Sequence, residues 1–368
     1  MTRIDFSDLK RLVDINSWTQ NKAGVDANGQ LMQQWLEKLG MSTTTFPREE
    51  IGDHMLFQSN VIDNQDRLLL LGHLDTVFPP NTFEGFKEDT EWVYGPGTCD
   101  MKGGNFVALS ALRNIFIEYG EINNIDFLLV SDEETGSDDS KAITSAIASQ
   151  YQACIDFEAA GENHEVVNGR KGVATYCVEL TGVAAHAGNH YTSGRNANLA
   201  AARLLIALTE LTELDKGTTV NVGLIEGGTS TNTISPYAKL MVETRFTTRD
   251  EQDRILKAIP ALIPNHGVDG VSTELTGGLQ RNVMTPSAEQ QALIEKLSQL
   301  IGTPLLTEQR GGVSDANVMA GAGVPTLDGF GPFGDGDHTE FERASKQSFI
   351  RRIKEVTAIL AHFSQIKE

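Results

Sequence analysis

Two histidines and five carboxylates stand at the ends of apolar stretches or in glycine-rich loops. His73 and Asp75 follow directly on Leu68-Leu69-Leu70-Leu71-Gly72. Asp100 opens the segment Asp100-Met101-Lys102-Gly103-Gly104. Glu133 and Glu134 come just after the apolar run Ile125 to Val130. Glu158 ends the run Ala153 to Phe157, and His338 sits in a stretch rich in glycine and aspartate. Imidazoles with several carboxylates form a hard-to-borderline donor set that suits zinc and accepts cobalt or manganese. Such a set leaves a pair of divalent ions with residual positive charge, which favours hydroxide over water between them. Hydrolytic sites of this kind hold their ions roughly 3.5–4 Å apart, and so need a shared carboxylate and a nearby general base.

The surrounding pattern supplies the elements that would carry these side chains. Four successive leucines read as a strand buried on both faces. If its direction persists past Gly72, His73 and Asp75 point to the same side. Residues Phe6 to Ile15, Leu31 to Leu39, Phe106 to Phe116 and Phe349 to Leu360 repeat their apolar positions at helical spacing. Met55 to Ile62, Arg67 to Gly72, Ile125 to Val130, Ala153 to Phe157 and Val324 to Leu327 read as strands. Apolar strands alternating with helices predict an open α/β sheet, in which ligands bind outside the carboxyl ends of the strands.

From about Gly172 the texture changes. Val173 to Thr181, Thr219 to Glu226, Ala238 to Phe246 and Val271 to Leu275 read as strands, and Asn196 to Leu211 and Asp250 to Leu262 as helices. That β-α-β-β-α-β order predicts a split βαβ, ferredoxin-like unit. The expected organisation is a metal-binding catalytic domain over 1–171 and 284–368, with an α+β domain over 172–283 inserted into it.

Bulk properties narrow the class. A length of 368 residues favours two domains over one core. The formal net charge of -20 argues against nucleic-acid and anionic-membrane partners, though a local field can still oppose the global one. The start of the chain lacks the pattern of a signal peptide, and no apolar stretch is long enough to cross a bilayer. Cys99, Cys154 and Cys177 are few and irregularly spaced, which fits a reducing, cytoplasmic setting. Cys99, beside Asp100, reads as packing rather than as a soft ligand. Asp156 competes with Glu158, and the strand end favours the latter. The segment Gly329 to Gly334 fits G-x-G-x-x-G, but too little chain follows it for a dinucleotide unit. No G-x-S-x-G elbow occurs, which weighs against a serine hydrolase.

Taken together, GHLDTV, GPGTCDMKGG, SDEETGS, FEAA, AAHAG, GGTSTNTI, GGVSDAN and GDGDHTE resemble the dinuclear zinc amidohydrolase and exopeptidase family. That family includes glutamate carboxypeptidase, aminoacylase, acetylornithine deacetylase and succinyl-diaminopimelate desuccinylase, and the resemblance covers essentially the whole chain. It implies a zinc-exopeptidase-like α/β catalytic domain with an inserted ferredoxin-like lid and dimerisation domain. It implies two zinc ions, replaceable by cobalt or manganese, with Asp100 bridging them. His73 and Glu158 would complete one shell, and Glu134 and His338 the other. Asp75 would hydrogen-bond His73, and Glu133 would be the general base that takes a proton from the metal-bound water, leaving a zinc-bound hydroxide to attack. The peptide after Asp100 would be cis. In the inserted domain, His186 would reach across a homodimer to polarise the scissile carbonyl. Asn232 and Arg245 would hold the substrate's carboxylate, and Gly311-Gly312 would line the cleft.

The resulting expectation is a cytoplasmic, homodimeric metallohydrolase. Its substrate would be a small N-acyl amino acid or short peptide with a free carboxylate, nearest to the glutamate-carboxypeptidase branch. An N-acyl amino acid deacylase is the alternative within the family. From another class, a non-catalytic amino-acid-binding protein would keep the fold but lose a ligand or the base, and Glu133 and every proposed ligand are present.

Overall fold

A computed structural model describes residues 4–364. The first three and last four residues of the expected catalytic domain lie outside the described residues. Two compact units result. One comprises the chain up to Gly169, Pro286–Arg310 and the chain from Ser314, and the other comprises Arg170–Thr285 with Gly311–Val313.

The first unit opens with α1 (Ser7–Val13), α2 (Lys22–Glu37), β1 (Ser42–Phe46), β2 (His54–Gln58) and β3 (Leu68–His73). There follow β4 (Lys87–Glu88), β5 (Trp92–Tyr94), α3 (Lys102–Tyr119), β6 (Ile125–Val130), α4 (Ser140–Ile147), β7 (Ala153–Asp156) and β8 (Val166–Arg170). The second unit carries β9 (Gly172–Thr181), α5 (Ala197–Thr209), β10 (Thr219–Gly227), β11 (Tyr237–Phe246), α6 (Arg249–Leu262) and β12 (Ser272–Arg281). The chain then returns to the first unit with α7 (Ala288–Ile301), β13 (Thr307–Arg310) and α8 (Ala316–Gly321). It finishes through β14 (Thr326–Leu327), β15 (Gly334–Asp335), β16 (Arg343–Ser345) and α9 (Lys346–Ser364).

The main sheet of the first unit has the order β1-β2-β6-β3-β7-β14. Its inner strand β3 runs parallel to β6 and to β7, with Leu68 opposite both Ile125 and Ala153. All six residues of β3 are buried. The strand alternation divides its leucines between two cores. Leu68 and Leu70 pack with residues of α1, α2, α3, α7 and α9. Leu69 and Leu71 pack with Ile147 of α4 and Met319 of α8. Chain connectivity goes from β3 through α3 to β6 on one side and later to β7 on the other, so strand order reverses at β3. The crevice at such a reversal is where ligands bind in open α/β sheets.

The second unit is all antiparallel, in the order β10-β11-β9-β12, the arrangement of a split βαβ motif. Alternate residues of β9 (Ala174, Tyr176, Val178, Leu180) are buried with Leu204 of α5 and Ile255 and Ile259 of α6. Both helices start on a side-chain cap: Asn196 accepts the Leu199 N–H and Thr248 accepts the Glu251 N–H.

Some elements differ from expectation. β1 reads Ser-Thr-Thr-Thr-Phe, a polar edge strand without alternation. The sheet β15-β16-β5-β4 is built from strands too short to show a period. β12 runs on to Arg281, beyond the expected end at Leu275, because Gly277-Gly278 reads as a turn but stays paired with β9.

Candidate metal centre

The ends of β3, β6 and β7 deliver the side chains. His73 is the last residue of β3 and is 1 % exposed. The first turn of α3 grips its backbone: Asn105 Nδ2 donates to the His73 carbonyl at 2.7 Å, and the His73 N–H points to Met101 Sδ at 3.1 Å. Gly104 lets α3 come this close to the strand ends, since a Cβ there would lie 1.9 Å from the Phe157 carbonyl oxygen. The Asp100–Met101 peptide is cis.

Around His73 the groups fall into two sets that meet at Asp100. His73 Nε2 lies 3.1 Å from Asp100 Oδ1 and 3.6 Å from Glu158 Oε1. His338 Nε2 lies 3.3 Å from the other oxygen, Asp100 Oδ2, and 3.1 Å from Glu134 Oε2. Donor atoms of His73, Asp100 and Glu134 all fall within 4.8 Å of one another, as do those of His73, Glu133 and Glu158. Glu133 and Glu134 share a single helical turn after β6, so one points at each part of the cluster. His338 has a left-handed backbone, φ 61°, and its side chain is 53 % exposed, so this is the open side of the site.

Asp75 sits behind His73. His73 Nδ1 is 3.0 Å from the Asp75 carbonyl oxygen and 3.3 Å from Asp75 Oδ1, so the backbone carbonyl is the better-placed acceptor. With Nδ1 donating there, Nε2 is left as the lone-pair donor facing the cluster. Asp75 Oδ2 accepts from Thr19 Oγ1 at 2.7 Å and from the Glu134 N–H at 3.2 Å. One carboxylate thus ties together the β3 end, the Glu134 turn and the N-terminal segment.

Charge is concentrated here. Burial pushes the Glu134 carboxyl up to about 7, helped by the charge of Asp100 and opposed by His338. Burial and Asp100 likewise push Glu158 well above the usual range. For Asp100, burial works against ionisation, yet His338 and His73 outweigh it and hold the carboxyl well below its ordinary value. Hydrogen bonds to Asp100 and Glu134 raise His338 to about 11. For His73, burial opposes protonation, but Asp100 and Asp75 overcome it. Buried carboxylates that draw this strongly on positive charge fit a cation site. A divalent ion supplies that charge and replaces the imidazole protons. The two oxygens of Asp100 face separate imidazole–carboxylate pairs.

The remaining candidates lie in the second unit. His186 is exposed, and its Nδ1 accepts the N–H groups of Gly188 and Asn189, both at 3.2 Å. It is paired through the backbone with Thr233, and Ala187 N–H donates to the Asn232 carbonyl. Asn232 Oδ1 accepts from Ser230 Oγ at 2.8 Å. Arg245 directs its fork at Glu243 (2.9 and 3.2 Å) and donates to the Gly311 carbonyl at 3.0 Å. Gly312 accepts from Arg170 at 3.1 Å.

Three residues that hold the ligand-bearing segments, Thr19, Asn105 and Glu342, carry no mark in the sequence, and neither does Lys102 in the first turn of α3. Lys102 is 2 % exposed and donates to the carbonyls of Leu12 and Ile15; burial lowers its pKa to about 7. No local signal marks these residues: Asn105 follows Met-Lys-Gly-Gly, and Glu342 stands between Phe341 and Arg343.

The model of peptidase family M20/M25/M40 matches residues 69–364. Carboxypeptidase G2 from Pseudomonas sp. (strain RS-16) is 26 % identical over 343 residues, spanning 90 % of this chain and 82 % of that protein. Succinyl-diaminopimelate desuccinylase from Pseudomonas syringae pv. syringae is 25 % identical over 286 residues, spanning 71 % of this chain and 74 % of its own. Among solved structures, a tripeptidase from Staphylococcus aureus superposes with a TM-score of 0.80 at 21 % identity, covering 98 % of this chain and 97 % of that one. An M20 metallo-carboxypeptidase from Sulfolobus solfataricus gives 0.73 at 16 % identity, covering 98 % and 100 %. The fold, the cluster at the strand ends and the matched span agree: this chain belongs to peptidase family M20/M25/M40 and is a metal-dependent hydrolase.

Proposed function

We propose that the chain hydrolyses the amide bond of a small N-acyl amino acid or short peptide bearing a free carboxylate, as a glutamate carboxypeptidase does. The observation that carries this is the placement of Asp100, whose two oxygens face His73 and His338 separately. His73, Asp100 and Glu158 would hold one zinc ion, and Asp100, Glu134 and His338 the other. When bound, such a pair polarises the scissile carbonyl and lowers the pKa of a water molecule. Glu133 takes a proton from the attacking water and passes it to the leaving amine; its carboxylate belongs to the same cluster as His73 and Glu158. Asp75 fixes His73 from behind.

Motif alone assigns His186 to the scissile carbonyl and Asn232 and Arg245 to the substrate's carboxylate. A substrate carboxylate at Arg245 would exchange with Glu243, because both need the same planar fork. The relatives named as desuccinylases favour a second reading, an N-acyl amino acid deacylase.

A homodimer through the second unit is supported by its edge strand β10 and the neighbouring α5. These leave Leu224 61 %, Ile225 53 % and Ile206 59 % exposed, apolar side chains on elements at a sheet edge with unpaired backbone groups. Among the described residues no helix is long and apolar enough to cross a membrane. The free thiols of Cys99, Cys154 and Cys177 support a reducing, cytoplasmic setting.

The test is a panel of N-acyl amino acids and dipeptides, including N-blocked glutamates, scored for free amine. The zinc-loaded chain and its Glu133→Ala variant are compared. Turnover of carboxylate-bearing substrates, with kcat reduced about 10²–10⁴-fold in the variant, is expected. Equal rates in the two proteins would remove Glu133 from the mechanism.

A further inference from the structure

We infer that Glu342 is a positioning residue of the metal centre: its carboxylate is the template on which the Asp100 loop folds, and it couples that loop to the segment carrying His338. The inference rests on the reading of Asp100 and His338 as metal ligands.

Glu342 is 1 % exposed, and its side chain ends among backbone donors. Oε2 accepts the Gly97 N–H at 3.0 Å, while Oε1 accepts those of Cys99 at 2.9 Å and Asp100 at 3.0 Å. A buried carboxylate is costly unless hydrogen bonds replace its water. Three amides from one loop supply that replacement. In turn, the loop depends on the carboxylate, because an apolar residue at 342 would leave those three buried N–H groups without this acceptor. Gly97 has φ 80°, and a Cβ on it would lie 2.8 Å from the Lys102 side chain. A side chain at position 97 would therefore be strained in this loop conformation.

The main chain of Glu342 makes the second connection. β16 pairs with β5, setting Arg343 opposite Tyr94, and the Gly95 N–H donates to the Glu342 carbonyl at 3.3 Å. On its other side, the Glu342 N–H donates to the Thr339 carbonyl at 3.2 Å, next to His338. Side chain and backbone of one residue thus hold the amide of Asp100 and the turn of His338. Asp100 must present one oxygen to each histidine, and a small rotation about its backbone would misdirect both. Groups behind a ligand that fix its direction typically change metal affinity or activity by about 10–100-fold when removed.

The experiment compares the full-length chain with Glu342→Gln and Glu342→Ala. Gln keeps an oxygen for Cys99 and Asp100 but turns an NH2 toward the Gly97 N–H, whereas Ala removes every acceptor. Zinc affinity is measured by competition with a chromophoric chelator. The fold is measured separately, by circular dichroism and thermal unfolding in EDTA. We expect Glu342→Gln to unfold in EDTA close to the parent temperature, bind zinc about 10–100-fold more weakly and lose kcat with KM nearly unchanged. Glu342→Ala is expected to lose more. The inference is overturned if Glu342→Gln binds zinc as tightly as the parent. It is equally overturned if zinc binding falls only in step with loss of the EDTA-state fold. A parent chain that binds no zinc would remove the metal reading itself, and this inference with it.

Discussion

Asp75 shows how few atoms decide the centre at the scale of single residues. Its carbonyl orients His73 Nδ1, while its Oδ2 collects Thr19 and the Glu134 amide. The sequence marks the ligand candidates in two ways: His73, Glu134 and Glu158 follow apolar runs, whereas Asp100 and His338 stand in glycine-rich loops. Thr19, Asn105 and Glu342 carry no such mark. Their partners are backbone groups or carboxylates tens to hundreds of positions away, and no local spacing records such contacts. A prediction at this scale concerns Arg245. If its fork exchanges Glu243 for the substrate's carboxylate, Arg245→Lys, which loses the bidentate geometry, should raise KM about tenfold or more at nearly constant kcat. A fall in kcat at unchanged KM would place Arg245 outside carboxylate binding.

At the scale of elements, the buried strands and long helices were readable and the short edges were not. Leu68 to Leu71 declare a strand packed on both faces because four apolar side chains must all be buried. By contrast, β4, β5, β15 and β16 are too short to show a period, and the pairing of β16 with β5, far apart in sequence, sets Glu342 beside the Asp100 loop. In the second unit, α6 is tied down by Glu251, which is 5 % exposed. The Arg254 fork beside it, with help from Thr218, holds its carboxyl at about 2 against the opposing effect of burial. A depressed carboxyl contributes stability above its unfolded value of about 4.5 and loses it as pH falls through the folded value. The stability difference between the parent and Glu251→Gln should therefore be full above about pH 4.5 and fade toward pH 2. A difference that is flat across that window would contradict the assignment.

For the whole molecule, the order of units was legible as a change of texture near Gly172, from buried runs to alternating strands. Assembly was not legible, since exposed apolar residues mean little until β10 is known to be an edge. Leu224→Glu, which sets a charge on that edge strand, should shift the chain from dimer to monomer by light scattering while leaving zinc content intact. A parent chain that is already monomeric would remove the dimer reading. The central claim, that Asp100 joins two ions, has a direct measurement in zinc stoichiometry by elemental analysis after exhaustive dialysis. About two zinc ions per parent chain are expected, and a fall below one in a folded Asp100→Asn variant, because both sites would share that carboxylate. A variant that still carries about two would contradict it.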